Sequence, residues 1–207
     1  GVFLNNGDGT FAPQATYSTG SNSGPYSVTT ADIDGDSKID IIVANSGSND
    51  VGVLFNNGNG AFASQVTYSA GINPRSLAAA DVNGDSKIDI IVANVGSNNV
   101  GVFLNNGNGA FASQVTYSTG SNPQSVAATD VNGDSKIDII VANYNSNNVG
   151  VLLNNGNGAF ASQVTYSTGG TQPYWVTAAD VNADNRVDII VMNTIPNNVG
   201  VLLSACI

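Results

Sequence analysis

Apolar and polar residues alternate along this chain in short runs that predict β-strands and no helix. In the third of several similar stretches we predict four strands, because β-branched and aromatic residues are concentrated there. These strands are Ser125–Asp130, Ile137–Asn143, Val149–Leu153 and Phe160–Tyr166. The joints between the runs carry Asn, Gly and Pro, which are turn residues. No segment keeps a helical apolar period over several turns.

The same pattern of strands recurs at a nearly constant interval. Residues 81–117 and 130–166 are almost identical, and two more divergent copies begin at Asp32 and Asp180. Successive copies start 49, 49 and 50 residues apart. Four short antiparallel strands in a repeat of this length are typical of a propeller blade. The sequence therefore predicts an all-β protein, a β-propeller of four-stranded antiparallel blades with about four blades in this chain. A β-sandwich and a solenoid are the alternatives.

The repeat boundaries leave one blade without its outer strand. We predict a single repeat domain over residues 1–207, with repeats at approximately 25–73, 74–122, 123–172 and 173–207, the last completed by residues 1–24. In this arrangement Phe11–Tyr17 supplies the missing fourth strand and removes the open edges. Val2–Leu4, however, duplicate the strand predicted at Val199–Leu203. A longer array of repeats and two chains that combine into a larger ring are the alternatives.

Charged residues are confined to a few positions. All 15 acidic residues are Asp, and the formal net charge is −10. Thirteen of them lie in four short segments with four of the five basic residues, while Asp8 and Asp50 lie elsewhere. A nucleic-acid partner is not expected, since phosphate binding requires a basic surface. No apolar run approaches the roughly 20 residues of a membrane-spanning helix. The single cysteine, Cys206, cannot form an internal disulfide.

The four Asp-rich segments share the pattern D-x-D/N-G/A-D-x-K/R-x-D between the first and second predicted strands. Carboxylates crowded into one turn repel one another, by about 4 kcal/mol for a pair about 4 Å apart at an effective dielectric of about 20. A divalent cation reverses that cost. Oxygen ligands alone favour calcium over zinc or copper, and magnesium prefers fewer carboxylates and more water.

We therefore predict about four Ca²⁺ ions, one in each loop. The side chains at positions one, three, five and nine supply oxygen ligands, and the Lys or Arg at position seven binds through its backbone carbonyl. The predicted metal-binding residues are Asp32, Asp34, Asp36, Lys38, Asp40, Asp81, Asn83, Asp85, Lys87, Asp89, Asp130, Asn132, Asp134, Lys136, Asp138, Asp180, Asn182, Asp184, Arg186 and Asp188.

These segments resemble the FG-GAP/VCBS repeat family, known from integrin α-chain propellers and from secreted bacterial and fungal proteins. The resemblance is carried by Val82–Asn94 (VNGDSKIDIIVAN) and by VGVFLNNGNG at residues 100–109, and it covers practically the whole chain. Pro-X-Ser stands where the family has Phe-Gly, and Ala-Asn-X replaces its Gly-Ala-Pro. The resemblance implies an integrin-α-like calcium-binding β-propeller with calcium between the first and second strands. It also implies extracellular recognition or adhesion, with a lectin role in some members.

A second candidate surface lies on the rim opposite the Asp-rich loops. The repeats differ there, notably in the residue that follows each inter-blade Pro. The candidate ligand-binding residues are Tyr26, Arg75, Gln124, Tyr144, Tyr174 and Trp175. Exposed aromatic rings near amides and an Arg suit a sugar or a peptide. The alternative is that these loops are unconstrained and that Tyr174 and Trp175 pack between blades.

We expect a calcium-binding propeller that acts as an extracellular or cell-surface recognition and adhesion module, with lectin-like binding as one form. The expected partners are a carbohydrate or an extracellular protein, with self-association as a way to complete the ring. A purely structural repeat spacer or a fragment of a larger propeller is the alternative. An enzyme is not expected, because the chain has no His and no Glu for acid–base or nucleophilic catalysis of a polysaccharide.

Overall fold

The computed structural model describes residues 1–204, which contain strands and no helix. The first group of strands is β1 (Pro25–Ala31), β2 (Asp40–Asn45), β3 (Asp50–Leu54), β4 (Asn56–Gly58), β5 (Ala61–Phe62) and β6 (Val66–Ser69). The second is β7 (Pro74–Ala80), β8 (Asp89–Asn94), β9 (Asn99–Phe103), β10 (Asn105–Gly107), β11 (Ala110–Phe111) and β12 (Val115–Ser118). The third is β13 (Pro123–Thr129), β14 (Asp138–Asn143), β15 (Asn148–Leu152), β16 (Asn154–Gly156), β17 (Ala159–Phe160) and β18 (Val164–Ser167). The last is β19 (Thr171–Ala179), β20 (Asp188–Ile195) and β21 (Asn198–Leu202). Cys206 lies outside the described residues.

Each of the first three groups forms one four-stranded antiparallel sheet that follows the order of the chain, β1-β2-β3-β6 in the first case. The short pair β4–β5 is a hairpin inserted before the fourth strand, and β10–β11 and β16–β17 repeat it. The last described sheet has the order β19-β20-β21. The predicted architecture of repeated antiparallel blades is confirmed, and we refer to the four sheets as blades 1 to 4.

The predicted fourth strand at Phe160–Tyr166 is two strands, β17 and β18, in the structure. Between them Gln163 turns inward, where its Oε1 accepts a hydrogen bond from the buried Asn143 amide (3.2 Å). Gln114 makes the same contact with Asn94 in blade 2 (3.1 Å). The inward-facing Gln163 interrupts the backbone pairing of the strand, but the alternation of residue types continues through it. The sequence pattern therefore predicted one strand where the structure has two.

The blades pack face to face through their apolar second strands. Every residue of β8 and β14 is buried, because each Ile-Ile-Val-Ala run has a neighbouring blade on both faces. Ile42 and Val53 of blade 1 pack in one cluster with Ile90 and Val92 of blade 2. The opposite face of β8 joins blade 3 in the same way. The core of the protein therefore lies between the blades. Burial of each side chain of this size stabilises the fold by roughly 1.5–3 kcal/mol.

Polar contacts also join neighbouring blades near the hairpins. The Asn105 amide of blade 2 donates to the Ile33 carbonyl of blade 1 (2.8 Å), and an equivalent bond joins blades 2 and 3. Tyr68 of blade 1 donates its hydroxyl proton to the Gly109 carbonyl of blade 2 (2.7 Å). The Tyr68 ring also packs edge-on against Phe111, with ring centroids 5.0 Å apart. These bonds fix blade 1 relative to blade 2 and blade 2 relative to blade 3.

Residues 1–17 pack on blade 1. A bridge joins Val2 to Ala15, and the Tyr17 hydroxyl donates to the Gly60 carbonyl of blade 1 (3.1 Å), as Tyr68 does one blade later. A second bridge joins Asn5 to Phe11, so the two halves of this segment run antiparallel. The completion of blade 4 by residues 1–24 stays a prediction. The division of the chain into domains stays a prediction.

The first strands of consecutive blades lie side by side at the centre, where β1 contacts β7, β7 contacts β13, and β13 contacts β19. Tyr26 in β1 and Tyr174 in β19 meet across this centre, with 2.6 Å between their hydroxyl oxygens. The blades thus curve around a common axis, as in a propeller. No helix able to cross a membrane occurs in residues 1–204.

Tyr68→Phe removes the hydroxyl that bonds blade 2 and leaves the ring in place. We expect the free energy of unfolding to fall by about 1 kcal/mol, measured by denaturant titration with EDTA present. Tyr166→Phe is the matched control, because the equivalent ring in blade 3 is 45% exposed and makes no such bond within residues 1–204. Equal losses in the two variants would contradict a role for the hydroxyl bond.

Candidate metal centres and axial cluster

Each Asp-rich loop is folded around the carboxylate of its first Asp. In the first loop, Asp32 accepts N–H bonds from Gly35 (2.8 Å), Asp36 (3.1 Å) and Ser37 (2.9 Å). Gly35 and Ser37 have φ angles of 77° and 67°, and this tight turn brings successive N–H groups to one point. The same bonds recur in the other loops at Asp81, Asp130 and Asp180.

The fifth and seventh positions form an ion pair at the surface. Lys87 Nζ lies 2.8 Å from Asp85 Oδ2, and the same pair occurs in the first and third loops. Hydrogen bonds from the Lys87 side chain and backbone lower the pKa of the Asp85 carboxyl. In the fourth loop, Arg186 donates its backbone N–H to Asp184 (2.9 Å). A cation that binds the fifth-position carboxylate therefore has to displace a lysine ammonium in three of the loops.

The ninth-position Asp is a buried anchor between the loop and the following hairpin. Asp89 Oδ2 accepts the Val82 N–H (2.9 Å) and its Oδ1 accepts the Asn105 N–H (2.8 Å). Burial raises the pKa of the Asp89 carboxyl, and the two backbone bonds oppose that rise. The same two bonds and 0% exposure occur at Asp40, Asp138 and Asp188. The sequence pattern predicted this residue only as a metal ligand and did not reveal its role as an anchor.

The first loop has the donor set that calcium prefers. One carboxylate oxygen from each of Asp32, Asp34 and Asp40 lies within 4.8 Å of the other two. Two oxygens that bind one Ca²⁺ at about 2.3–2.6 Å lie at most about 5 Å apart, so these three fit a single ion. Burial raises the pKa of Asp34, and the negative charges of Asp40, Asp36 and Asp32 add to that rise. A bound cation would remove this repulsion.

The other three loops carry an amide at the third position, and the residues are Asn83, Asn132 and Asn182. Asn83 Oδ1 accepts the Asp85 N–H (2.9 Å), as Asp34 Oδ1 accepts the Asp36 N–H (3.2 Å) in the first loop. The third-position oxygen therefore has the same place in both loops. An amide keeps the oxygen ligand but carries no negative charge. These three loops therefore also fit calcium, and each has one negative charge fewer than the first loop.

Four candidate ligand residues on the opposite rim are the extra residues of β-bulges. In blade 1, Pro25 pairs with Asn45 and Ser27 with Ala44, which leaves Tyr26 without a partner in the ladder. The same shift leaves out Arg75, Gln124 and Tyr174 in the next three blades. A bulge re-aims a side chain. The repeated Pro-X-Ser could have indicated this feature, but Pro and the residues before it predict only the entry to the next blade.

These four side chains contact one another at the axis, and we call them the axial cluster. Tyr26 and Tyr174 share a hydrogen bond between their hydroxyls (2.6 Å), which raises the pKa of Tyr174. The Arg75 guanidinium lies over the Tyr26 ring, 4.8 Å from its centroid. Arg75 Nη1 also donates to Gln124 Oε1 (3.1 Å). Tyr26 is 48% exposed, so solvent reaches the cluster.

Of the two remaining candidates, Tyr144 borders the axial cluster and Trp175 does not join it. The Tyr144 ring packs edge-on against Tyr174, with centroids 6.3 Å apart, and its hydroxyl donates to Gln172 Oε1 (2.9 Å). Trp175 pairs with Met192 in the sheet and is 52% exposed. Gln172 was missing from the predicted surface, because its approach to Tyr144 depends on packing between blades 3 and 4.

The family comparison agrees with the repeat seen in the structure. The FG-GAP-like repeat matches four overlapping segments, at residues 1–43, 32–92, 81–141 and 130–191. The chain belongs to the FG-GAP-like repeat family. The first match ends just after the first Asp-rich loop, and each of the other three runs from one Asp-rich loop to the next, so the repeat that defines this FG-GAP-like chain includes the candidate metal loop. Among curated proteins, none matches the sequence significantly.

Solved structures share the fold of this FG-GAP-like chain at low sequence identity. An Agrocybe aegerita lectin, described as recognising non-reducing terminal N-acetylglucosamine, is 23% identical with a TM-score of 0.61, over 97% of this chain and 56% of the lectin. Virginiamycin B lyase from Staphylococcus aureus is 14% identical with a TM-score of 0.55, over 87% and 55%. The Photorhabdus luminescens Tc holotoxin pore is 22% identical with a TM-score of 0.51, over 79% and 8%. The chain spans little more than half of the first two structures, and these likenesses show the fold alone.

Asp89→Asn should lower the free energy of unfolding by roughly 2 kcal/mol in EDTA, because a buried amide N–H then opposes a backbone N–H. Asp85→Asn, in the same loop but at the surface, should leave the EDTA value nearly unchanged. Denaturant titration of both variants measures the difference. If the two variants were equally stable in EDTA, the anchor role of Asp89 would be wrong.

Ala183→Gly should stabilise the calcium-free protein by about 0.5–1 kcal/mol. Ala183 has a φ of 61° where the other loops have glycine, and a Cβ is strained in this left-handed region. Gly133→Ala is the reverse change at a position where an added Cβ meets no atom within 4 Å, so it should cost a similar amount. Thermal unfolding in EDTA measures both, and a lack of opposite shifts would contradict backbone strain in the fourth loop.

Proposed function

We propose that this FG-GAP-like chain is a calcium-binding recognition module that binds carbohydrate outside the cell. One observation carries the proposal. The repeats are nearly alike where they pack, as in the buried second strands, yet the bulge position carries Tyr, Arg or Gln, and these side chains meet at a site where Tyr26 is 48% exposed. Repetition of a residue serves packing between blades, whereas a position that varies within the chain and is exposed suits contact with a ligand.

Calcium stabilises the rim that carries the Asp-rich loops. We propose four ions, one per loop, bound by the oxygen side chains of the first, third and fifth positions and by the backbone carbonyl of the seventh. The buried ninth-position Asp holds each loop in place and adds an oxygen where it reaches the ion, as the cluster of Asp32, Asp34 and Asp40 supports. Four divalent ions would cancel most of the net charge of −10. Exposed oxygen sites of modest affinity suit the calcium concentration outside cells.

The axial cluster is the proposed recognition surface. Tyrosine rings offer an apolar face to the C–H groups of a sugar, and the tyrosine hydroxyls with the Arg75 guanidinium offer hydrogen bonds to its hydroxyl groups. Gln124 is buried and bonds both Arg75 and Asn122, so its role is to position Arg75. The Agrocybe aegerita lectin of similar fold supports a carbohydrate ligand over a protein ligand. A binding role in adhesion, without catalysis, agrees with a chain that has no His and no Glu and keeps its Asp clusters in loops of metal-binding spacing.

Calcium and carbohydrate binding can be tested together on the purified chain. We expect titration calorimetry with CaCl₂ to give four sites per chain, and removal of calcium by EDTA to lower the melting temperature by several degrees, since ions that bind only the folded state stabilise it. A glycan array probed in calcium should give reproducible hits. Asp85→Ala combined with Asp134→Ala should reduce the number of calcium sites.

An unchanged melting temperature in EDTA would contradict calcium binding. An array without any hit in calcium would contradict carbohydrate recognition and favour a structural spacer between other domains. Loss of array signal on cleavage of the printed polysaccharide would show an enzyme instead of a binding module.

A further inference from the structure

We propose that the axial cluster is a subsite for the carboxylate of an acidic saccharide, with Arg75 as the anion-binding group. The inference rests on the proposed carbohydrate-binding function and names the class of sugar, a uronic acid. Arg75 is the one basic residue that lies outside the Asp-rich loops. The four others stand at the seventh position of a loop, where three of them pair with a carboxylate.

Arg75 has no carboxylate partner within residues 1–204. Its Nε donates to Asn73 Oδ1 (3.4 Å) and its Nη1 donates to Gln124 Oε1 (3.1 Å). A guanidinium carries five N–H donors in a planar fork, so these two neutral contacts hold its orientation and leave donors for an incoming group. An arginine that is oriented by neutral contacts and keeps free N–H donors can bind a carboxylate through two parallel hydrogen bonds. The bulge in β7 holds the side chain at the axis instead of within the ladder.

The tyrosine pair supplies the neighbouring contacts. In the hydrogen bond between Tyr26 and Tyr174, one hydroxyl donates and the other keeps a proton that can be donated elsewhere. The Arg75 guanidinium lies over one face of the Tyr26 ring, and Tyr26 is nevertheless 48% exposed. A pyranose ring that carries a carboxylate matches this combination, because its C–H face can lie on an aromatic ring while its charged group reaches Arg75.

The acidic loops do not prevent an anion from binding at the axis. β1 has seven residues, so Tyr26 and the Asp-rich loop of its blade lie roughly 20 Å apart at about 3.3 Å per residue. That distance exceeds the Debye length of about 8 Å at physiological ionic strength. Asp50 is on the same rim as the axial cluster. It lies in β3, where it pairs with Asn45 of β2, and Asn45 in turn pairs with Pro25 of β1. Asp50 is therefore two strands outward from β1, roughly 10 Å away. Its Oδ1 accepts a hydrogen bond from the Asn45 amide (2.7 Å).

The probe is trigalacturonate, and its fully methyl-esterified form is the uncharged match. Isothermal titration calorimetry on the full chain in calcium should give at least tenfold tighter binding of the acid than of the ester. Arg75→Gln should remove that preference, and it places at this bulge the side chain that the next blade already has at Gln124. Tyr26→Phe should weaken binding of the acid several-fold, while Tyr166→Phe, on the outer strand of blade 3, should leave it unchanged. Circular dichroism melts check that each variant is folded.

Equal affinity for acid and ester, or a preference that survives Arg75→Gln in a folded protein, would overturn the inference. If neutral glycans bind and trigalacturonate does not, the carbohydrate-binding function stands and the carboxylate subsite is wrong. Binding of a pentaaspartate peptide as tight as that of trigalacturonate would overturn the choice of a saccharide. A weaker acid preference in Arg75→Lys, between wild type and Arg75→Gln, would support bidentate recognition over charge alone.

Discussion

A solvent-free carboxylate with backbone N–H donors on both oxygens connects the two halves of every blade. At Asp89 one donor comes from the second residue of the loop and the other from the first residue of the hairpin. Without that acceptor, two buried N–H groups would lose their partners at about 1–3 kcal/mol each. Because the carboxylate fixes these residues, the first Asp of the loop can gather its own N–H donors and the hairpin Asn105 can reach the preceding blade. One side chain per repeat thus positions the Asp-rich loop, and in blades 2 and 3 it also positions the hairpin Asn that contacts the preceding blade.

The two rims of the molecule differ in both charge and repetition. Carboxylates are concentrated in the loops of one rim, where their spacing and donor chemistry fit calcium. The other rim is formed by bulges in the first strands, and there the repeats diverge into Tyr26, Arg75, Gln124 and Tyr174. The buried second strands separate the rims by the length of a strand. The residues proposed to bind ions and those proposed to contact a ligand are therefore separate sets, and one set can change without the other.

Much of the fold and the position of the Asp-rich loops could be predicted because the sequence presents each feature in several copies. The strand order, the position of the Asp-rich loops and the oxygen donors follow from periodicity and residue type. Burial of Asp89 could not be predicted, because a ligand and an anchor have the same spacing in the sequence. The inward turn of Gln163 and the contact of Tyr26 with Tyr174 could not be predicted either, because each depends on partners that only packing brings together.

The four bulges also have a consequence for how this scaffold can be altered. The extra residue of a bulge has no partner on the neighbouring strand, so the strand pairing does not depend on its side chain. Tyr, Arg and Gln all occur at this position, and the register on either side is unchanged. Four codons spread over the gene therefore encode one small contiguous patch. Randomising them together would yield a combinatorial library whose members differ in this patch while sharing the same core and the same Asp-rich loops.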